Sequence, residues 1–164
     1  MVDAMRRSAS LSVLAGMLVA GMAVGAAALA DCYDDAGTYY RLSPSLLRAI
    51  AYVESRGEAS AIGGNSDGSL DMCAMQINSQ WLPKLARFGI TGGDLLADEC
   101  TCIYSGAWIL AGEVDRHGYS WEAVARYHSP SQARGLDYVL RVFAALNGIE
   151  KRQLAISKRF ASKS

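Results

Sequence analysis

Leu46-Leu47-Arg48-Ala49-Ile50-Ala51-Tyr52-Val53-Glu54-Ser55-Arg56-Gly57 reads as one amphipathic helix carrying a carboxylate on its apolar face near the C-terminal end. Ser43 can cap it, Pro44 suits its first position, where a missing N–H costs nothing, and Gly57 can stop it. Leu47 and Ile50 stand seven and four residues before Glu54, so a period of 3.6 residues puts all three on one face. Two effects then act on Glu54 in the same direction. Burial disfavours the ionised form, and the negative end of the helix dipole disfavours it again, so a raised pKa is expected. A carboxylic acid that stays protonated near neutral pH can act as general acid on a glycosidic oxygen. A glutamate here can also lay its stem along the core and carry its head to water, and periodicity alone leaves both readings open.

Upstream, residues 1–30 carry Arg6 and Arg7, then an apolar stretch of mainly Ala, Leu, Val, Gly and Met, and end in Ala28-Leu29-Ala30, a small-residue cleavage signature. This reads as a signal peptide cleaved after Ala30. A retained membrane anchor is the alternative, since the stretch is nearly long enough to span. The 134 residues that remain suit one domain with one core. The expected organisation is a signal peptide at 1–30, one catalytic domain at 31–148 and a basic, flexible tail at 149–164.

Charge says little in total, at 16 cations against 16 anions, and more by segment. The tail sets Lys151, Arg152, Lys158, Arg159 and Lys163 against Glu150, a net +4, whereas 31–148 holds nine cations and fourteen anions, a net −5. A basic tail on an acidic body can dock on anionic cell wall, a membrane surface or a partner protein, or it can be a solvated end. No nucleic-acid partner is expected, because the cations lack interleaved stacking aromatics or a groove-reading motif.

The remaining pattern is mostly helical. A short segment around Tyr33 and Tyr40 precedes the Glu54 helix, and Gly63-Gly64-Asn65 with Asp67-Gly68 mark a loop or small hairpin. Ser79 can cap a helix through Trp81, Leu82, Leu85 and Phe88 that stops at Gly89. Thr101 can cap the next, ended by Gly118, and Ser120 can cap a third that reaches Tyr127. Ser129-Pro130 breaks the chain before a last helix over 132–146, with Asn147-Gly148 as its stop. Asp67 and Asp71 read as loop caps rather than a second catalytic group.

Cys32, Cys73, Cys100 and Cys102 make an even set in an exported chain, so two disulfides are expected. Joining Cys100 to Cys102 has poor geometry, which leaves two of three pairings open. A zinc site from Cys73, Cys100, Cys102 and a histidine is disfavoured, since no CxxC or paired-His spacing is present.

Ala51-Tyr52-Val53-Glu54-Ser55, then Asp71-Met72-Cys73-Ala74-Met75-Gln76-Ile77-Asn78, then Ala123-Val124-Ala125-Arg126-Tyr127-His128 resemble, in order and spacing, the three motifs of the soluble lytic transglycosylase family, related to goose-type lysozyme. The resemblance covers residues 32–147. Gly106-Ala107-Trp108-Ile109-Leu110 and His117-Gly118-Tyr119-Ser120-Trp121-Glu122-Ala123-Val124 look like the small periplasmic members that accompany type III and type IV secretion, conjugation and pilus systems.

The resemblance implies a mainly α (α+β), lysozyme-like two-lobed fold with a small β element beside the cleft. It implies cleavage of peptidoglycan glycan strands between N-acetylmuramic acid and N-acetylglucosamine, with Glu54 as acid and then base and a 1,6-anhydro product; a hydrolase that adds water with the same Glu54 and a non-catalytic wall-binding assembly protein are the alternatives. Gln76, Asn78 and Tyr127 match positions lining the cleft, where they can hydrogen-bond sugar or N-acetyl groups. Neither cofactor nor metal is implied, and a periplasmic monomer is expected. Three departures stand out. Cys73-Ala74 replace the usual Gly-Leu, which removes glycine's backbone freedom; Cys102 stands where Asn is usual; and His128 replaces the Asn that usually follows the Tyr. The two cysteine departures imply Cys73 with Cys102, and so Cys32 with Cys100. His128 can bind substrate or be a polar residue at the cleft edge.

Overall fold

The structure, a computed structural model, describes residues 31–129 and 131–162. The expected signal peptide and Pro130 lie outside them. Helix α1 (Cys32–Tyr40) is capped by the Asp31 side chain, which accepts from the N–H groups of Tyr33 and Asp34. Arg48 pairs with Asp31 at 2.7 Å and Asp34 at 3.0 Å, tying α1 to α2 (Pro44–Ser55). In α2 the Ser43 hydroxyl accepts from Leu46 N, Pro44 sits in the first turn, and Leu47 and Ile50 are fully buried. The helix stops at Arg56 rather than Gly57, because Arg56 already takes the left-handed conformation at φ 63° and Gly57 only continues it at φ 80°.

The Gly- and Ser-rich stretch forms a three-stranded antiparallel sheet in the order β1 (Ile62–Gly64), β2 (Leu70–Met72), β3 (Ile77–Asn78). Ile62 pairs with Met72, and Met72 with Ile77. The helix expected from Ser79 to Phe88 is instead three pieces: a 3-10 turn (Ser79–Trp81), α3 (Leu82–Leu85) and a second 3-10 turn (Ala86–Phe88), stopped by Gly89 at φ 75°. Asn78, not Ser79, caps the first turn, and Pro83 forces the restart at α3. The turns of α4 (Gly92–Ala97), opened by a Thr91/Asp94 capping box, have no counterpart in the expected elements.

Helix α5 (Glu99–His117) runs through the middle of the molecule, and Ile103, Ala107 and Leu110 are fully buried along it. Its cap is Asp98, which accepts from Thr101 N, so it starts before the expected Thr101. Helix α6 (Trp121–His128) is capped by Ser120 as the sequence predicts. Helix α7 (Gln132–Ala161) packs against α2 and α6 and does not stop at Asn147-Gly148. Ile149 packs on the core and Ser45 Oγ donates to Gln153 Oε1 at 3.1 Å, so tertiary contacts carry the helix through a weak stop signal. Gly135 brings α7 against α6: a Cβ there would lie 2.9 Å from the Ala125 Cβ.

The two disulfides are Cys32–Cys100, from α1 to α5, and Cys73–Cys102, from the β2–β3 loop to α5, with Cα separations of 5.2 and 6.2 Å. All four sulfurs are thereby taken, which overturns the zinc alternative. Cys73 stands at φ 63°, a conformation that glycine takes freely and other residues at a cost. The Cys73–Cys102 bridge therefore holds a strained residue in place.

Closing the 29-residue separation of Cys73 and Cys102 is worth about 3 to 4 kcal/mol in the chain-entropy model. Urea denaturation of Cys73→Ala/Cys102→Ala should show a loss of that order. Cys73→Gly/Cys102→Ala should lose about 1 kcal/mol less, because glycine relieves the left-handed strain. Equal losses in the two variants would contradict the account of Cys73.

Candidate active site

Glu54 sits in the last turn of α2 with its side chain 12% exposed, at the floor of a cleft of about 560 Å³ between the β-sheet loops and the α6–α7 junction. Three aromatic rings meet it. His128 Nδ1 lies 3.7 Å from Glu54 Oε1, and the imidazole stacks on the Tyr138 ring at 4.3 Å between centroids with 4° between planes. Tyr138 is fully buried on α7, and its hydroxyl makes no hydrogen bond of regular geometry among the described residues. Glu54 is the charged group that acts on it most strongly. Burial first, then the Glu54 charge, pushes the Tyr138 hydroxyl well above the usual tyrosine range. Burial likewise raises Tyr127, with Glu54 and Asp71 adding to the effect, so both phenols stay protonated.

Behind the cleft runs the loop Cys73-Ala74-Met75-Gln76, of which Gln76 lines the cleft and the first three residues are fully buried. Several of its backbone polar groups have partners on the surrounding elements. Ser55 Oγ donates to Ala74 O at 2.9 Å, Tyr127 Oη to Met75 O at 2.8 Å, and Cys73 N to Ala61 O at 2.8 Å. Met75 is pressed on α5, where a Cβ at Gly106 would come within 2.7 Å of its Cε. Only glycine allows that approach.

The residues expected from sequence, Glu54, Gln76, Asn78 and Tyr127, all line this one cleft. Their polar atoms differ in freedom. Gln76 Nε2 is turned onto its own loop, donating to Cys73 O at 3.0 Å, and its Oε1 faces Gly63. Asn78 Nδ2 donates to Asp71 Oδ1 at 2.8 Å and to Ser69 Oγ at 2.9 Å, while its Oδ1 accepts from Gln80 N. Asp71 also accepts from Asn65, and Asp67 accepts from the Ser69 N–H and hydroxyl, which hold its carboxyl below the usual range. Of the cleft's carboxylates, two are bound into the sheet loops. Glu54 is not tied into the sheet loops: the groups that face it are His128 Nδ1 at 3.7 Å and the buried Tyr138 hydroxyl, and its carboxyl lines the cleft.

Sequence reasoning missed Tyr138. The signal was present: it lies three residues after Gly135 and four before Val142, on the buried face of α7. A phenol on an otherwise apolar face points to a polar group on another element, and Glu54 on α2 is the charge that acts on it most strongly.

The chain matches the family model described as a transglycosylase SLT domain over residues 31–135. It is 45% identical over 100 residues to "X polypeptide" of Escherichia coli, a match covering 61% of this chain and 59% of that relative. A second "X polypeptide", from Escherichia coli strain K12, is 40% identical over 126 residues, 73% of this chain and 75% of the relative. "Invasion protein IagB" of Salmonella typhimurium is 41% identical over 110 residues, covering 67% and 69%. With Glu54, the Met75-Gln76 loop and Tyr127 all inside the matched segment, the chain belongs to the transglycosylase SLT family, the lytic transglycosylases that act as lyases on peptidoglycan.

Proposed function

We propose that this protein is an exported peptidoglycan lytic transglycosylase that cleaves the β-1,4 bond between N-acetylmuramic acid and N-acetylglucosamine and leaves a 1,6-anhydro end. The observation that carries this reading is the isolation of Glu54: a mostly buried carboxyl at the cleft floor, facing phenols and an imidazole, with the other cleft carboxylates committed elsewhere. One available carboxyl fits a reaction that needs one group in two roles. Glu54 first protonates the leaving O4, while the substrate's N-acetyl group supports positive charge at C1. The resulting carboxylate then takes the proton of the C6 hydroxyl, whose oxygen attacks C1. A hydrolase using the same Glu54 would add water in place of the C6 hydroxyl, whereas most water-adding glycosidases use a pair of carboxyl groups flanking the bond.

Export by a signal peptide at 1–30 and action in the periplasm accord with the paired cysteines and with a wall substrate. Gln76, Asn78 and Tyr127 form the sugar-contacting wall in this reading, Tyr127 chiefly by fixing the Met75 carbonyl. Local opening of the wall for a secretion, conjugation or pilus apparatus is the proposed setting, supported by the likeness to a protein named for invasion. The body at 31–148 is the catalytic unit. The basic stretch from 149, helical through Ala161 as the end of α7, retains the enzyme on anionic wall or on apparatus proteins.

Glu54→Gln should lower turnover of purified peptidoglycan by at least about 100-fold, the usual cost of losing a positioned general acid, with the melting temperature nearly unchanged because the amide is close to isosteric. Retained turnover would sink the assignment. A chain ending at residue 153 keeps the Ser45–Gln153 hydrogen bond but loses Lys158, Arg159 and Lys163. It should cleave soluble glycan fragments at the full rate and bind sacculi less well, with the deficit largest at low salt, where charge acts over a longer distance. Normal sacculus binding would remove the tail from the proposal.

A further inference from the structure

We propose that His128 is a positioning residue for Glu54: its imidazole, laid flat on Tyr138, holds the Glu54 carboxyl through Nδ1 while the acid gives up and takes back its proton. The inference rests on the assignment of Glu54 as the acid. It begins from geometry. The imidazole and phenol planes are parallel within 4° at 4.3 Å, and Tyr138 has no exposed surface, so the platform under His128 is fixed. The close α6–α7 approach at Gly135 sets that stack. With its plane fixed, the ring can meet Glu54 only by its edge, and the edge atom nearest is Nδ1, 3.7 Å from Oε1.

A separation of 3.7 Å is longer than a hydrogen bond, which ends near ~3.2 Å, and leaves no room for an intervening water. Pairs of this kind commonly stand long in empty sites and close when substrate is bound. The surroundings favour the contact. From α2 the imidazole faces Glu54 and from α7 Tyr138, while Arg134 of α7 and Tyr127 and Arg126 of its own helix line the same cleft. Among the described residues Glu54 is the one carboxylate within ion-pair reach of His128.

The chemistry is that of a held carboxyl. With its proton on Nδ1, the imidazole donates to Oε1, and the acid delivers its own proton from the other oxygen to the leaving O4. Negative charge then develops on the carboxylate opposite a donor already in place, which is where preorganisation is most effective. The same donor keeps the carboxylate oriented until it accepts the C6 hydroxyl proton. His128 neither donates to nor accepts from the sugar in this scheme.

Two variants separate the ring stack from the nitrogen. His128→Phe keeps an aromatic ring over Tyr138 and lacks Nδ1; His128→Asn lacks the ring and carries an amide N–H close to the Nδ1 position. On soluble glycan fragments, His128→Phe should lose about 10- to 100-fold in kcat, the range a hydrogen bond to a charged group supplies, with KM within about two-fold of wild type. His128→Asn should recover most of kcat. In the nitrogen NMR spectrum of the uncomplexed protein, the His128 Nδ1 resonance should move on Glu54→Gln. A wild-type kcat in His128→Phe, a change carried by KM, or an unmoved resonance would each overturn the proposal; the resonance decides it even if His128→Phe fails to fold. An active Glu54→Gln would overturn the acid assignment itself, whereas an inactive Glu54→Gln beside a fully active His128→Phe would remove only the role given to His128.

Discussion

The loop Cys73-Ala74-Met75-Gln76 is tied to α2, α5 and α6, and the shape of the cleft depends on those ties. Two of its four residues, Cys73 at φ 63° and Gln76 at φ 48°, sit in the left-handed region, each at a cost of about 1 to 2 kcal/mol. Such a segment persists only where its surroundings over-determine it. Here a disulfide to α5, a hydrogen bond from Ser55 beside the acid, one from Tyr127 on α6, and the burial of Met75 against Gly106 do so together. The last turn of α2 and the last turn of α6 therefore meet across a rigid wall, and Glu54 and Tyr127 are placed by the same contacts that hold the loop.

That arrangement makes sense of the departure from glycine at the start of the loop. A glycine would adopt φ 63° freely, but it could not be bridged. Cysteine exchanges local freedom for a covalent tie, and the exchange is stable only with Cys102 present on α5. The second bridge, Cys32–Cys100, joins α1 to α5 just one residue before Thr101 and anchors the opposite end of the same helix turn. Both bridges converge on the start of α5, the element around which the core is built. An oxidising compartment is a condition of this design.

How much of this was legible in the sequence varied with how local each signal was. The Glu54 helix was readable because cap, proline and apolar period agree, and α6 because Ser120 is followed by an amphipathic turn. The pieces after Asn78 were not, because Leu82, Leu85 and Phe88 imitate one helical face while Pro83 and the backbone break it. Helix α7 ran past Asn147-Gly148 because Ile149 and Gln153 find partners on the body, which local propensity cannot register. The site divides in the same way. Glu54 and the motif residues could be placed from their own segments, while Tyr138 acquires its meaning only from Glu54 on another helix. The committed state of Asn78, with its amide shared between Asp71, Ser69 and Gln80, is likewise a property of the folded sheet loops.

The cleft then reduces to one available acid, two protonated phenols and one imidazole, held on helices whose ends are fixed by the loop. The central claim is that this single carboxyl drives an intramolecular attack by the sugar's own C6 hydroxyl. Mass spectrometry of the muropeptides released from purified sacculi by the enzyme with both disulfides intact tests it most directly. Products ending in 1,6-anhydro-N-acetylmuramic acid, lighter by one water than the reducing sugars that hydrolysis leaves, are the predicted result. Products that carry the added water, or no release at all, would contradict it.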